Sequence, residues 1–164
     1  MKTRQRQHGV ALVELAIMLS LLLAITFAVT EFGRAIYTYN TLTKSTRDAT
    51  RYLSTQAAGN AAAYTTAQNL AVYGTPTVGG TSKPLVPGLT VSMVSICDAS
   101  NATCTGNIVQ GSNPAINTVT VTISGYTFSP VLDLLAFTRY YTHGTTKMTS
   151  VPFSNISVTM RQSY

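Results

Sequence analysis

The feature that most constrains this chain is the run from Val10 to Val29, 20 residues whose only charge is Glu14. At 1.5 Å of rise per residue, about 20 helical residues cross a hydrocarbon core of ~30 Å. Leu, Ala, Ile, Met and Phe dominate the run, and their propensities favour helix over strand. The alternative is a buried core helix, but a single helix that is apolar on every side suits lipid better. No second apolar stretch in the sequence is long enough to span a bilayer.

Charge supports this reading. Lys2, Arg4 and Arg6 precede the run, beside His8. Positive residues flanking a first span stay on the cytoplasmic side, which places the rest of the chain outside the inner membrane. The formal net charge of +6 is half due to that leader. The remainder has no Lys/Arg face interleaved with aromatics, so a nucleic-acid partner is not expected.

The helical pattern continues past the apolar run. Between Glu31 and Thr55 there is no Pro, and Gly33 is the only Gly. Phe32, Ala35, Tyr39, Leu42, Thr46, Ala49 and Leu53 recur at steps of three and four, on one helical face. That face packs on the chain's own globular domain or forms a seam against another subunit, and different sectors can do both. Lys44/Asp48 and Asp48/Arg51 have spacings that allow weak ion pairs. A continuous helix from Val10 to about Thr55 would be roughly 70 Å long.

A break at Gly59-Asn60 and a second helix near Ala61–Tyr73 follow, ended by Gly74 and Pro76. Residues 75–88 read as a loop. Beyond Gly88 the periodicity changes to two. "LTVSMVSIC" (89–97), "INTVTVTISGYTF" (116–128) and "SNISVTMRQ" (154–162) read as strands. "SPVLDLLAF" (129–137) reads as a short helix or turn, and 138–150 as a loop with a short strand near Lys147–Val151. Three strands cannot bury both faces alone, so the second half of the long helix is the expected cover for one of them. The fold class is α+β, a long N-terminal helix packed on a small antiparallel sheet. It divides the chain into a basic leader (1–9), a membrane-spanning helix (10–30), its amphipathic continuation (31–57) and an exported domain (58–164).

Cys97 and Cys104 flank a turn-forming segment, "DASNAT". If the domain lies outside the cytoplasm, a disulfide closing this loop is expected; otherwise the two are unpaired small apolar residues. A metal site is weaker, because His8 and His143 are the only histidines. No nucleophile motif accompanies His143, and Gly79-Gly80 lacks the strand-to-helix setting of a phosphate loop. No enzyme activity, cofactor or small-molecule substrate is expected.

Glu14 remains to be explained. A carboxylate in an apolar helix carries a large desolvation cost unless it is paired. Were the chain cut after Gly9, Val10 would be the new terminus and Glu14 its fifth residue. The free amine and the carboxylate would then lie one turn apart on the same helical face. The carboxylate offsets a cation that the helix dipole disfavours, and between neighbouring helices it can neutralise the amine of another subunit. "TFA" (26–28) also suits an ordinary signal peptidase cutting after Ala28. Against that, Glu14 weakens such a signal and the helical pattern runs past Ala28.

The "GVALVEL" stretch resembles the processing site of type IV pilin-like proteins, in which a prepilin peptidase cuts after glycine and the fifth mature residue is Glu. More narrowly, residues 8–54 resemble the TadE-like pseudopilins of tight-adherence (Tad/Flp) pilus systems, through "ALVEL", "EFGRAIY" (31–37) and "TRDATRY" (46–52). "VTVTISGYTFSPVLDLL" (119–135) and "ISVTMRQ" (156–162) are similar to later parts of such proteins. The resemblance implies Gly9 as the scissile position, Val10 as the new terminus and Glu14 in assembly. It implies a single-pass bacterial inner-membrane protein with a periplasmic domain, extracellular if carried in the pilus. The implied role is a pseudopilin or minor pilin that builds or initiates a Flp-type pilus. Its partners would be a prepilin peptidase, a Flp-type pilin and a TadF-like protein. An uncleaved membrane scaffold of the same machinery, or a secreted binding domain, are the other readings.

Overall fold

The computed structural model describes residues 8–101, 104, 107, 116–131 and 150–163. The leader residues 1–7, most of the segment 129–137, the loop with His143 and residues 147–149 lie outside the described residues. The chain forms two compact units, one of residues 1–35 with 129–149 and one of residues 36–128 with 150–164. Helix α1 (His8–Ser54) contributes to both.

In the first unit, α1 is long and apolar enough to cross a membrane, by length and composition. Every described residue from Gly9 to Phe27 is exposed. The hydroxyls in this apolar stretch bond to the helix's own carbonyls. Ser20 Oγ donates to the Ile17 carbonyl at 2.8 Å, and Thr26 Oγ1 to that of Leu22 at 2.8 Å. This satisfies them without water, as a hydrocarbon environment requires.

The second unit holds the core. Along α1, Leu42, Ser45, Thr46, Ala49, Thr50 and Leu53 are buried, at the spacing of one helical stripe. Thr46 and Thr50 bond back to the carbonyls of Leu42 and Thr46, both at 2.7 Å, so the stripe is polar in composition but satisfied within. The expected stripe begins too early: Phe32 is 69% and Tyr39 46% exposed. Neither Lys44/Asp48 nor Asp48/Arg51 forms an ion pair; among the described residues the pair is Glu31–Arg34.

Helix α2 (Ala61–Tyr73) starts at Asn60, whose Oδ1 accepts from the amides of Ala62 and Ala63 at 3.1 and 3.3 Å. It ends at Gly74, which is left-handed at φ 72°. A Cβ there would lie 3.1 Å from Leu85 Cδ2. Its inner face is built from Ala63, Ala67, Ala71 and Val72.

Three antiparallel strands follow, β1 (Val94–Cys97), β2 (Thr118–Ile123) and, last in the chain, the strand Ile156–Arg161, in the order first–second–last. A second, two-stranded sheet pairs β3 (Thr127–Phe128) with β4 (Val151–Pro152); the strand Ile156–Arg161 is therefore β5. Two strand expectations are corrected. Residues 91–93 form a 3-10 turn ahead of β1 rather than strand. The segment 116–128 divides between two sheets, because Gly125 turns the backbone at φ 72°.

The register places Val119, Val121 and Ile123 of β2 opposite Met160, Val158 and Ile156, with Val94 and Ile96 on the other side. These apolar residues share one face. The α1 stripe meets β5 there, with Thr50 Oγ1 3.5 Å from the Val158 carbonyl. The other face carries hydroxyls, with Thr120 and Thr159 in contact at 2.7 Å and Thr122 and Ser157 at 3.0 Å. After β5, the Ser163 amide donates to the Ser54 carbonyl at 2.9 Å, satisfying one of the orphan carbonyls at the end of α1.

Candidate functional site

Two places carry the residues singled out by sequence. The first is the start of α1. Gly9, Val10, Val13, Glu14 and Ile17 line one shallow face of the helix, as i, i+4 geometry requires. Val10 is 73% exposed and Glu14 is exposed beside it. Gly9 lies inside the first turns of the helix, and a Cβ there would meet nothing within 4 Å. Among the described residues, no packing therefore demands glycine at this position.

Farther along the same unit, Arg34 Nη1 donates to both carboxylate oxygens of Glu31, at 2.9 and 2.8 Å. Glu31 is buried. This i, i+3 spacing was readable in "EFGRAIY", but the sequence reading gave the pair no role.

A model of the TadE-like protein family matches residues 9–51. No curated protein and no solved structure matches the chain. The TadE-like segment begins at Gly9 and ends at Arg51, so it contains Val10, Glu14, the Glu31–Arg34 pair and most of the buried α1 stripe. It excludes α2 and all five of the described strands.

The second place lies in the second unit, outside the TadE-like segment. Cys97 and Cys104 form a disulfide, with Cα atoms 5.6 Å apart. Asp98, next to it, is 1% exposed. Its Oδ1 accepts from the Ser100 amide at 3.0 Å and the Ser100 hydroxyl at 2.6 Å. Its Oδ2 accepts from the Gly59 amide at 2.9 Å and from the Tyr64 hydroxyl. Burial alone would raise the Asp98 pKa, but the donors from Ser100, Tyr64 and Gly59 outweigh it and hold the carboxyl below its ordinary value. Burial and the bond to Asp98 push the Tyr64 hydroxyl up. On the far side of the loop, Asn107 Nδ2 donates to the Cys97 carbonyl at 3.0 Å and to Thr120 Oγ1 at 2.7 Å.

Chemically this second cluster is a clamp. Asp98 joins the start of α2, the end of β1 and the cystine loop, and its oxygens are spent on internal donors. Sequence reading gave Asp98 no role, because its partners Gly59 and Tyr64 lie 39 and 34 residues away. Among the described residues, no group of three His, Cys, Asp or Glu side chains could hold a metal ion.

Proposed function

We propose that the chain is a pseudopilin or minor pilin of a Tad (Flp-type) pilus, cut after Gly9 by a prepilin peptidase. The observation that carries the reading is the coincidence of three features at one place. The TadE-like match begins at Gly9, the apolar helix it opens is exposed from Gly9 to Phe27, and Glu14 lies one turn from Val10 on that helix.

In this reading the helix holds the protein in the inner membrane with its second unit outside. Cleavage converts the Val10 amide into an ammonium. Glu14 neutralises that charge, on its own helix or on a neighbouring subunit entering the filament, and so removes the cost of either ion alone in lipid. Flp-type pilin and a TadF-like protein are the expected assembly partners. The continuity of α1 through Ala28 favours this cut over one by ordinary signal peptidase.

Intact mass and N-terminal sequencing of the membrane-purified protein test the proposal. A start at Val10 supports it, a start at Met1 favours an uncleaved scaffold, and a start at Val29 favours a secreted domain. Gly9→Ala meets no steric obstacle among the described residues, and alanine improves helix propensity by about 1 kcal/mol. Loss of processing in that variant would therefore report on the peptidase and not on misfolding. Glu14→Ala is expected to insert normally and to abolish or sharply lower pilus assembly.

A further inference from the structure

We infer that the edge of β5 turned away from β2, which no described strand pairs, is where a second copy of this chain adds its own β5, antiparallel about a two-fold axis at Thr159. Hydrogen-bond parity defines the edge. The Gln162 amide donates to the Asn117 carbonyl at 2.8 Å. In an antiparallel ladder, alternate residues bond to the same neighbour, so Ile156, Val158 and Met160 face β2 with their amides and carbonyls. Those of Ser157, Thr159 and Arg161 point away from the sheet. All three residues are exposed, and among the described residues no backbone group bonds to them on that side; the next outward residue, Ser163, is already bonded to the Ser54 carbonyl at the end of α1.

The two edges of this sheet differ. At β1, the Gln68 side chain donates to the Val94 carbonyl at 3.4 Å and α2 packs alongside. At β5, the sequence between Ile156 and Met160 holds no Pro and no Lys, and its pairing with β2 has no bulge. The apolar face is also incompletely covered there. Val119 and Val121 are fully buried, whereas Met160 and Val158, opposite them on β5, are half-buried.

The charge pattern selects the occupant's direction. Arg161 is the only charged residue of the strand. A parallel in-register neighbour would set two arginines side by side, which is unfavourable. The two-fold about Thr159 instead pairs Arg161 with Ser157 of the other copy and separates the two cations by about 14 Å along the strand. It uses all three outward-pointing residues of β5, for about six backbone hydrogen bonds. It also joins the hydroxyl faces of both copies and extends both apolar faces, so one sequence satisfies both sides. The inference does not depend on cleavage at Gly9.

Cysteine cross-linking of the detergent-solubilised full chain tests it. The native cysteines are consumed in their disulfide, so an introduced thiol reports alone. Thr159→Cys places two thiols directly opposite, within the Cα separation a disulfide tolerates, whereas Ser157→Cys places its two copies about 14 Å apart. The expected result is about tenfold more oxidised dimer for Thr159→Cys than for Ser157→Cys, and dimer again when Ser157→Cys and Arg161→Cys chains are mixed. The mixed pair keeps the test valid if Thr159→Cys loosens the sheet. Equal yields from Thr159→Cys and Ser157→Cys, monomer throughout, or cross-linking to a different protein would each overturn the inference.

Discussion

Two stretches of one helix behave in opposite ways. From Gly9 to Phe27, α1 is almost wholly apolar and every described residue is exposed. From Leu42 to Leu53 it carries three Thr, one Ser and four charged residues, yet Leu42, Thr46, Ala49, Thr50 and Leu53 are essentially inaccessible. Hydrophobicity alone does not bring a residue into a core; an arrangement into one stripe does. The first stretch has no stripe to bury because all its sides are apolar, which suits lipid as its solvent. The second offers a narrow stripe, and hydroxyls bonded back to carbonyls let threonine serve in it.

The sharpest way to break this comparison is to truncate the same residue type in both stretches. Leu53→Ala removes a side chain 1% exposed and is expected to destabilise the second unit by about 2–5 kcal/mol. Leu22→Ala removes one that is 61% exposed and should leave that unit's stability within about 0.5 kcal/mol. Thermal unfolding in detergent, followed by near-ultraviolet circular dichroism, reads both. Equal losses would mean that the apolar stretch also belongs to the core.

The cystine sharpens the contrast. Replacing Cys97 and Cys104 by serine is expected to cost the second unit about 2–3 kcal/mol, through the greater freedom of its unfolded state. Partition of α1 into membranes should not change, because it depends on the apolar side chains of residues 10–29. Protease resistance of the second unit and flotation of the full chain with vesicles measure the two effects separately. A variant that failed to float would tie the anchor to the domain.

How much of this was legible in the sequence follows the range of each interaction. The apolar run, the Asn60 and Gly74 caps, the break between the helices and the alternation of β2 and β5 are local signals, and each marks an element. The division of 116–128 between two sheets was not read, although Ser124-Gly125 marks it, because β-branched residues on both sides kept the alternation going. Phe32 and Tyr39 fit the helical stripe by spacing, but burial depends on what lies opposite. Tyr39 instead meets Phe153 edge-on, with ring centres 5.9 Å apart, across a separation no periodicity reveals. Lys44 and Asp48 had the right spacing and are not ion-paired, as exposed pairs gain little from closing. The cystine was readable from compartment and spacing, whereas the carboxylate clamp beside it depends on Tyr64 and Gly59, distant in sequence.

That clamp gives the smallest expected effect and separates the two regions by pH. Asp98→Asn keeps the shape but replaces an acceptor of four donors with a group that must itself donate, at a cost of about 1–3 kcal/mol. The wild-type carboxyl is held below its ordinary value near 3.8, so the unfolded chain binds the proton more readily than the folded one. Its contribution to stability is therefore complete above that pH and declines as the pH falls through the lower folded value. Tyr64 has the opposite sign: its hydroxyl is raised above 10.0, and its contribution is lost as the pH climbs past that point. Wild type should accordingly lose more stability than Asp98→Asn between pH 5 and pH 2, with the difference vanishing once Asp98 is protonated in both states. If the two proteins kept parallel stability curves across that range, the carboxylate bonds would not be contributing as their geometry requires. Asp98 would then be a packed residue like any other, and the cystine alone would hold the loop.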